Sequence, residues 1–271
     1  MGTRLERRLA QHLAREKASN RAKDEFLAAL SHELRIPLNP ALLLASDGAG
    51  NQDLPAEIRR DFNTICDNIE IEARLIDDLL DLTRISRGKL ALKRSAVDVH
   101  AVLQSAVAKV DNEMAKKQIF LRMHFRAMHH HVDADPVRLQ QVFWNILRNA
   151  IKFTLHGGRI CLETETMDKQ IAITITDSGI GMTPDEIKSI FKQFSQGAHS
   201  LGGLGLGLAI SRKLVELHNG SIQATSLGKG KGATFSIKFP VARISDELKK
   251  INHPHGSQIP ERQSMQPGES V

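Results

Sequence analysis

The chain has 271 residues, of which 41% are hydrophobic and 25% charged, and its formal net charge is +6 at pH 7. This composition fits an ordinary soluble globular protein of one or two domains. The longest apolar runs, such as residues 41–45, are too short to cross a bilayer, and the N-terminus lacks the apolar core of a signal peptide. We therefore expect a cytoplasmic protein without a direct membrane span. Cys66 and Cys161 form no CxxC pair, and we expect both to be packing residues in a reducing compartment.

The positive charge is concentrated at the N-terminus. Residues 1–23 hold seven Lys or Arg and two Glu, a surplus of five that accounts for nearly all of the net charge. A basic helical arm is more often a solvated connector than a binding surface, so we expect no nucleic-acid partner.

The first part of the chain predicts a helical hairpin. Apolar residues recur every four positions over residues 5–45, the stretch 46–55 is rich in turn-forming residues, and Gly88 is a plausible stop for a second helix. The second helix carries a seven-residue repeat: Ile58, Phe62, Ile65, Ile69, Ile76, Leu79 and Thr83. A lone hairpin leaves half of its apolar stripe in water, whereas two hairpins bury it in a four-helix bundle. We therefore predict a homodimer through residues 24–88.

After Lys93 the pattern changes to strands mixed with helices. Alternating or β-branched strand patterns occur in IFLRMHF, GRICLETET, KQIAITITD and GATFSIKFP. Helical patterns occur in AVLQSAVAKVDNEMAKK, DPVRLQQVFWNILRNAIKF and GLGLAISRKLVELHN. This mixture predicts an α/β sandwich, in which helices cover one face of a single sheet.

These patterns divide the chain into four parts. The predicted parts are a basic helical connector (1–23), a dimerisation hairpin (24–92), an α/β domain (93–241) and a disordered polar tail (242–271).

One helix carries two asparagines on a single face. Asn145 and Asn149 are four residues apart, and their amide oxygens suit a hard cation such as Mg²⁺. Lys152 follows one turn later and can meet a phosphate. Taken alone, such a pair is more often an ordinary helix surface.

Two glycine-containing segments suggest contacts with a nucleotide. Asp177 ends a strand before Gly179 and Gly181, where a carboxylate can accept a hydrogen bond from an exocyclic amine such as that of adenine. The segment LGGLGLGLAIS places glycines before a helix N-terminus, as in a phosphate-binding loop, but it matches neither the P-loop nor the dinucleotide fingerprint. Alone, the first segment also reads as a simple turn and the second as a flexible loop.

Together and in this order, the motifs resemble those of two-component sensor histidine kinases. SHELRIPLNP resembles the H-box, NILRNAIKFT the N-box, DSGIGM and GGLGLGL the two glycine boxes, FKQFSQ the F-box, and GKGATFSIKFP the closing strand. The similarity covers roughly residues 20–241. The resemblance implies an α+β fold, in which a dimeric hairpin is followed by an ATP-binding domain of the Bergerat type.

The resemblance also implies a function, its cofactors and its partners. It implies ATP-dependent autophosphorylation of a histidine, with Mg²⁺, and transfer of the phosphoryl group to an aspartate of a response-regulator receiver domain. Asn145 and Asn149 would hold Mg²⁺ and phosphate, Asp177 would hold adenine, and residues 195–204 would form a mobile lid over ATP. The full implied ATP-binding set is Asn145, Asn149, Lys152, Asp177, Gly179, Gly181, Phe194, Gly203, Gly205, Leu206 and Gly207.

In the H-box, the resemblance makes His32 the phosphoacceptor and Glu33 its general base. Pro37 is then expected to bend the helix beside the histidine. Ile36 departs from the family pattern, which usually has Thr or Asn there to orient water for dephosphorylating the regulator. We expect a kinase with weak or no regulator phosphatase activity.

The run His129–His131 invites a metal-site interpretation. It has no second cluster of matching spacing, and alternate strand residues face opposite ways, so we interpret it as a strand edge.

Two other functions compete with the kinase. A clamp-type ATPase would carry a carboxylate in place of Asn145 and would lack the SHELR hairpin. A dimeric scaffold would bind ATP without phosphorylating His32. The motifs identify neither the stimulus nor the regulator: the signal comes from a separate sensor protein or from another part of a longer or hybrid chain. Whether transfer occurs within a subunit or across the dimer depends on the handedness of the 46–55 loop.

Overall fold

The structure is a computed structural model that describes residues 33–195 and 205–242. Its first part is a helical hairpin. Helix α1 covers residues 33–50, and helix α2 covers Ala56–Ser86 after a short turn. None of the described helices is long and apolar enough to cross a membrane.

The second part is an α/β domain. Its five-stranded sheet has the order β2-β4-β5-β7-β6, with β2 and β4 parallel and the other neighbours antiparallel; β1 and β3 form a separate antiparallel pair. The strands are β1 (Ser95–Asp98), β2 (Phe120–Phe125), β3 (His131–Ala134), β4 (Arg159–Met167), β5 (Gln170–Asp177), β6 (Ser221–Thr225) and β7 (Ala233–Pro240). The helices are α3 (Val99–Ala108), α4 (Asp111–Lys116), α5 (Pro136–Phe153), α6 (Pro184–Ser189) and α7 (Gly207–Leu217).

The core lies between the sheet and its helices. One face of β4 and β5 buries alternate residues, because successive side chains of a strand point to opposite sides. Helix α5 buries Phe143, Ile146 and Leu147 against this face. The central position of α5 matters for the site, since its remaining face carries the candidate asparagines.

Local capping fixes where α5 begins. The Asp135 carboxylate accepts hydrogen bonds from the backbone amides of Val137 and Arg138, and Pro136 occupies the first turn. The backbone amide of Asp135 donates to Nε2 of buried His218, 3.0 Å away, which ties α5 to the end of α7. The predicted start of α5 at DADP is therefore confirmed.

The predicted fold class is confirmed for a single chain: a helical hairpin precedes an α/β sheet domain. Two boundaries were wrong. The first helix continues to residue 50 instead of ending at 45, and the predicted helix over 101–117 is broken into α3 and α4. Short strands β1, β3 and β6 and helix α6 were not predicted, because four to six residues carry too little periodicity.

Some predictions concern parts of the chain outside the described residues. These parts are the basic connector (1–23), His32, most of the lid (196–204) and most of the tail (243–271). The four-helix bundle stays a prediction, since the structure contains one chain. Pro37 lies within helical residues, and the expected bend there stays a prediction as well.

Candidate functional site

The carboxylate of Asp177 lies at the end of β5, and Asp177 is only 6% exposed. Its Oδ1 accepts hydrogen bonds from the backbone amides of Gly179, at 2.8 Å, and Ala233, at 3.2 Å. Burial raises the pKa of this carboxyl, and the two amide donors oppose that rise. Because both donors bind Oδ1, Oδ2 is left to accept a hydrogen bond from a ligand.

The glycines after Asp177 allow close backbone packing. A Cβ on Gly179 would lie 2.4 Å from the carbonyl oxygen of Phe153 at the end of α5. Gly181 has a φ of +64°, and a Cβ there would lie 2.0 Å from the carbonyl oxygen of Gly228. Gly179 therefore lets the segment after β5 pack closely against the end of α5, and Gly181 lets it pack against the loop before β7. This structural role is additional to the expected contact with adenine.

Helix α5 places the two asparagines one turn apart, both half-buried. The Asn145 side-chain amide donates to the Gly207 carbonyl and to Ser211 Oγ, each at 3.4 Å, and this holds the amide group against the start of α7. Lys152 lies in the last turn of α5, where burial lowers the pKa of its ammonium. Lys117 closes this helix end, because its Nζ donates to the carbonyls of Ile151, Lys152 and Thr154.

The N-terminus of α7 lies beside Asn145. Its N-cap residue, buried Leu206, provides no side-chain cap, so the first-turn amides are left for a ligand. A Cβ on Gly205 would lie 2.5 Å from the carbonyl oxygen of Ser195, so the two ends of the predicted lid meet at this point. Exposed Phe194 precedes this junction with a positive φ of 58°, and Gly203 lies outside the described residues.

The structure therefore brings most of the ATP-binding set into one region. Asn145, Asn149, Asp177 and the start of α7 come from α5, β5 and α7, which pack in the same core. These groups fit a magnesium nucleotide: amide oxygens suit Mg²⁺, helix amides suit phosphate, and the free carboxylate oxygen suits an amine.

The acid of the H-box lies on the hairpin. Glu33 is exposed at the first described turn of α1, next to His32, which is not described. Arg35 holds this turn against α2, because its Nε donates to Asp77 Oδ1 at 3.0 Å. The side-chain hydrogen bonds and ion pairs between residues 33–50 and other described parts of the chain are all with α2. Among the described residues, none connects Glu33 to the nucleotide region.

The C-terminal end of α2 packs on the α/β domain, which the sequence did not predict. Asp81 is buried, and its Oδ2 accepts from Arg138 Nη1 at 2.6 Å and from Gln141 Nε2 at 2.8 Å. Leu82 joins the hydrophobic core of the domain. The second helix of the hairpin is thereby fixed to α5, the helix that carries the candidate asparagines.

A second contact between the two parts involves Trp144. The guanidinium groups of Arg74 and Arg148 lie 4.9 and 5.3 Å from its ring centroid, on α2 and α5 respectively. Asp78 lies near this contact, and burial together with neighbouring Asp81 and Asp77 raises its pKa to about 6. Arg74 opposes the rise.

Comparisons with known proteins agree with this arrangement. Residues 22–88 match the model of the His Kinase A (phospho-acceptor) domain, and residues 134–243 match that of the histidine kinase-, DNA gyrase B- and HSP90-like ATPases. The sensor protein GacS of Pseudomonas syringae pv. syringae is 35% identical over 256 residues, which is 90% of this chain and 28% of that protein. The circadian input-output histidine kinase CikA of Synechococcus elongatus is 36% identical over 241 residues, covering 86% of this chain and 32% of CikA.

A solved structure of the full-length protein ShkA in complex with AMPPNP matches with a TM-score of 0.65 and 30% identity, over 80% of this chain and 46% of that chain. The chain spans about a third or less of the length of GacS and CikA. With both domains present in this order and relatives of this kind, the chain belongs to the sensor histidine kinases of two-component signalling.

Proposed function

We propose that this chain is a protein-histidine kinase that binds ATP, transfers its γ-phosphoryl group to His32 and passes the group to an aspartate of a response regulator. The observation that carries the proposal is the convergence of Asp177, Asn145 and the uncapped start of α7 in one domain. The same chain carries the SHELR segment on a helical hairpin.

The adenine and the phosphates of the nucleotide each have a candidate partner. Oδ2 of Asp177 accepts from the exocyclic amine of adenine, while Gly179 and Gly181 keep the adjacent backbone in place. Amides at the start of α7, from Gly205 through Leu206 and Gly207, receive phosphate oxygens together with Lys152. Phe194 and Gly203 would contact the nucleotide from the lid, and Gly203 lies outside the described residues.

Asn145 and Asn149 would hold Mg²⁺ through their amide oxygens. Bound there, the ion would supply positive charge against the phosphate oxygens. The hydrogen bonds from Asn145 to Gly207 and Ser211 hold its amide beside the start of α7, where the phosphates are proposed to bind.

At the hairpin, a neutral imidazole of His32 is the nucleophile near neutral pH. Glu33 is adjacent in sequence and exposed, so its carboxylate is accessible to take the ring proton during attack. The pair between Arg35 and Asp77 positions this turn on α2.

The partners follow from the same organisation. Residues 24–92 would form the dimerising phosphotransfer hairpin and 93–241 the catalytic domain, with 1–23 as a connector and 242–271 as a tail. We infer a homodimer through 24–88, a receiver domain as the phosphate acceptor, and a cytoplasmic location, where ATP and regulators are found.

Ile36 limits the proposed activity. Ile36 is 51% exposed and lies on the helix that carries Glu33. An isoleucine side chain has no hydrogen-bonding group with which to orient a water molecule. We expect slow dephosphorylation of the regulator, with a gain in Ile36→Thr. The measurement is the release of phosphate from a phosphorylated receiver domain, and a fast wild type that gains nothing from threonine would contradict this expectation.

The test of the proposal is incubation of the purified chain with γ-labelled ATP and Mg²⁺, beside His32→Ala. We expect an acid-labile and alkali-stable label that is absent from the variant. A label that persists in His32→Ala would refute this acceptor. ATP binding without any label would favour the ATP-binding scaffold.

A further inference from the structure

A cysteine, a histidine and a glutamate meet on the outer face of the sheet. Edge strand β2 pairs in parallel with β4, and His124 is the register partner of Glu163. Cys161 lies two residues before Glu163 and therefore points to the same side of β4. This is the side away from buried Ile160 and Leu162, so the three groups lie outside the core.

The ligand atoms of these residues lie within 4.8 Å of one another. In the described part of the chain, no hydrogen bond is recorded for the thiol of Cys161 or the ring of His124. Glu163 has an ion pair with Arg126 at 3.8 Å, with both side chains substantially exposed. An exposed ion pair of this kind contributes little to stability, so Glu163 can exchange it for another partner at small cost.

We propose that Cys161, His124 and Glu163 form a binding site for a zinc-like divalent cation, with water as a fourth ligand. A thiolate, an imidazole and a carboxylate are the three ligand types that Zn²⁺ takes in proteins, and a fourth open position is common. Tetrahedral zinc holds its ligand atoms roughly 3.5 Å apart. The ligand atoms must therefore approach one another by at most about an ångström, which rotation of the exposed His124 side chain allows.

The charges around the thiol define the conditions for binding. Burial and the carboxylate of Glu163 raise the pKa of Cys161, while Arg122 and Arg126 lower it. A bound cation would displace the thiol proton and offset the repulsion between thiolate and carboxylate. The two arginines repel a cation, so the site is expected to have moderate affinity that falls as the pH is lowered.

A second cluster of possible metal ligands differs from the proposed site in the arrangement of its rings. Asp98, His100 and His130 also lie within 4.8 Å of one another. Their two imidazole rings are stacked, with centroids 4.3 Å apart and 16° between planes. Ring lone pairs lie in the ring plane, so a single ion cannot meet both rings in this arrangement. This group therefore serves as an internal control.

The consequence of the proposed site is a link across the sheet edge. Strand β2 is at the end of the sheet, and within residues 33–195 and 205–242 no strand pairs with the other side of its backbone. A cation bound by both β2 and β4 stabilises this pairing, because it binds the folded state and not the unfolded one.

The test is a titration of the full, nucleotide-free chain with Co²⁺, which takes zinc sites and reports thiolate ligation by a near-ultraviolet charge-transfer band. We expect one equivalent with this band, displaced by Zn²⁺. Cys161→Ser should abolish the band, and both it and His124→Gln should weaken binding by at least about tenfold. Cys66→Ser, which removes the other free cysteine, and His100→Gln are the matched controls and should leave the band unchanged.

Binding without a thiolate band, a band that survives Cys161→Ser, or equal loss in Cys66→Ser would overturn the proposal. If Cys161→Ser does not fold, His124→Gln decides, since this side chain is exposed. As a second readout, Zn²⁺ should raise the unfolding temperature of the wild type and not that of His124→Gln. These readouts do not depend on kinase activity.

Discussion

The hairpin and the α/β domain differ in how far they bury their own apolar residues. In the domain, the strands and α5 contribute a continuous set of fully buried side chains, among them Phe143 and Ile173. In the hairpin, Leu44 and Ile65 are 71% and 45% exposed. An exposed apolar stripe of this kind marks an interaction surface. The domain therefore buries its apolar residues within one chain, whereas the exposed stripe of the hairpin supports the prediction that a second copy covers it.

The largest expected effect is on the assembly. Ile65→Asp places a charge in the seven-residue apolar stripe, and we expect the homodimer to dissociate, with the molar mass in light scattering falling by half. Leu227→Asp is the control, since Leu227 is 93% exposed on the α/β domain. A dimer that survives Ile65→Asp would contradict pairing through this stripe.

The second effect tests the self-sufficient core. Phe143→Ala removes a fully buried ring from α5 and should lower the free energy of unfolding by about 3–5 kcal/mol. Denaturant unfolding measures this loss. A cost below about 1 kcal/mol would mean that α5 does not form the centre of the domain.

The third effect depends on pH and concerns the contact between the two parts. Burial raises the pKa of Asp78 to about 6 from an ordinary 3.8, so its ionised form opposes folding above about pH 6. This penalty shrinks as the pH falls from about 6 and disappears below 3.8, where the carboxyl is protonated in both states. Asp78→Asn should therefore stabilise the chain by up to about 3 kcal/mol at pH 8.

At pH 4 the same substitution should stabilise the chain by only about 0.5 kcal/mol, because much of the unfolded-state carboxyl is then protonated as well. Unfolding curves at both pH values provide the measurement. Equal stabilisation at pH 8 and pH 4 would show that Asp78 is not titrating in this range.

The smallest effect separates a buried pair from an exposed one. Asp81→Ala leaves Arg138 and Gln141 without their shared acceptor and should cost about 1–3 kcal/mol. Asp77→Ala removes an ion pair whose side chains are each 47% exposed, and should cost less than about 1 kcal/mol. Comparable losses in the two variants would deny a specific contact between α2 and α5.

The sequence predicted the elements in which a periodic pattern extends over many residues. Helix α5 and strands β4, β5 and β7 follow patterns of eight or more residues, and the predicted segments match the observed ones closely. Asp177 was placed at a strand end for the same reason. Short elements such as β1 and α6 depend on tertiary pairing that no local pattern records.

Contacts between distant segments could not be predicted in this way. Asp81 belongs to the polar face of a helix in the sequence, yet it is buried against α5. The seven-residue repeat showed which side of α2 is apolar, but Leu82, which is outside that repeat, is buried in the core of the α/β domain. The packing of β5 against α5 through Gly179 likewise depends on a backbone approach that appears only in three dimensions.

The most direct measurement compares nucleotide binding and histidine phosphorylation in the same samples of His32→Ala and Asp177→Asn. In Asp177→Asn, the two backbone amides that donate to Oδ1 would continue to bind the side-chain oxygen of the asparagine. The side-chain NH₂ would then face the adenine amine, donor against donor, and we expect ATP binding to weaken at least about tenfold. His32→Ala should bind ATP as the wild type does and carry no label. Normal labelling of Asp177→Asn, or a labelled His32→Ala, would contradict the division into a nucleotide-binding domain and a phosphoacceptor hairpin.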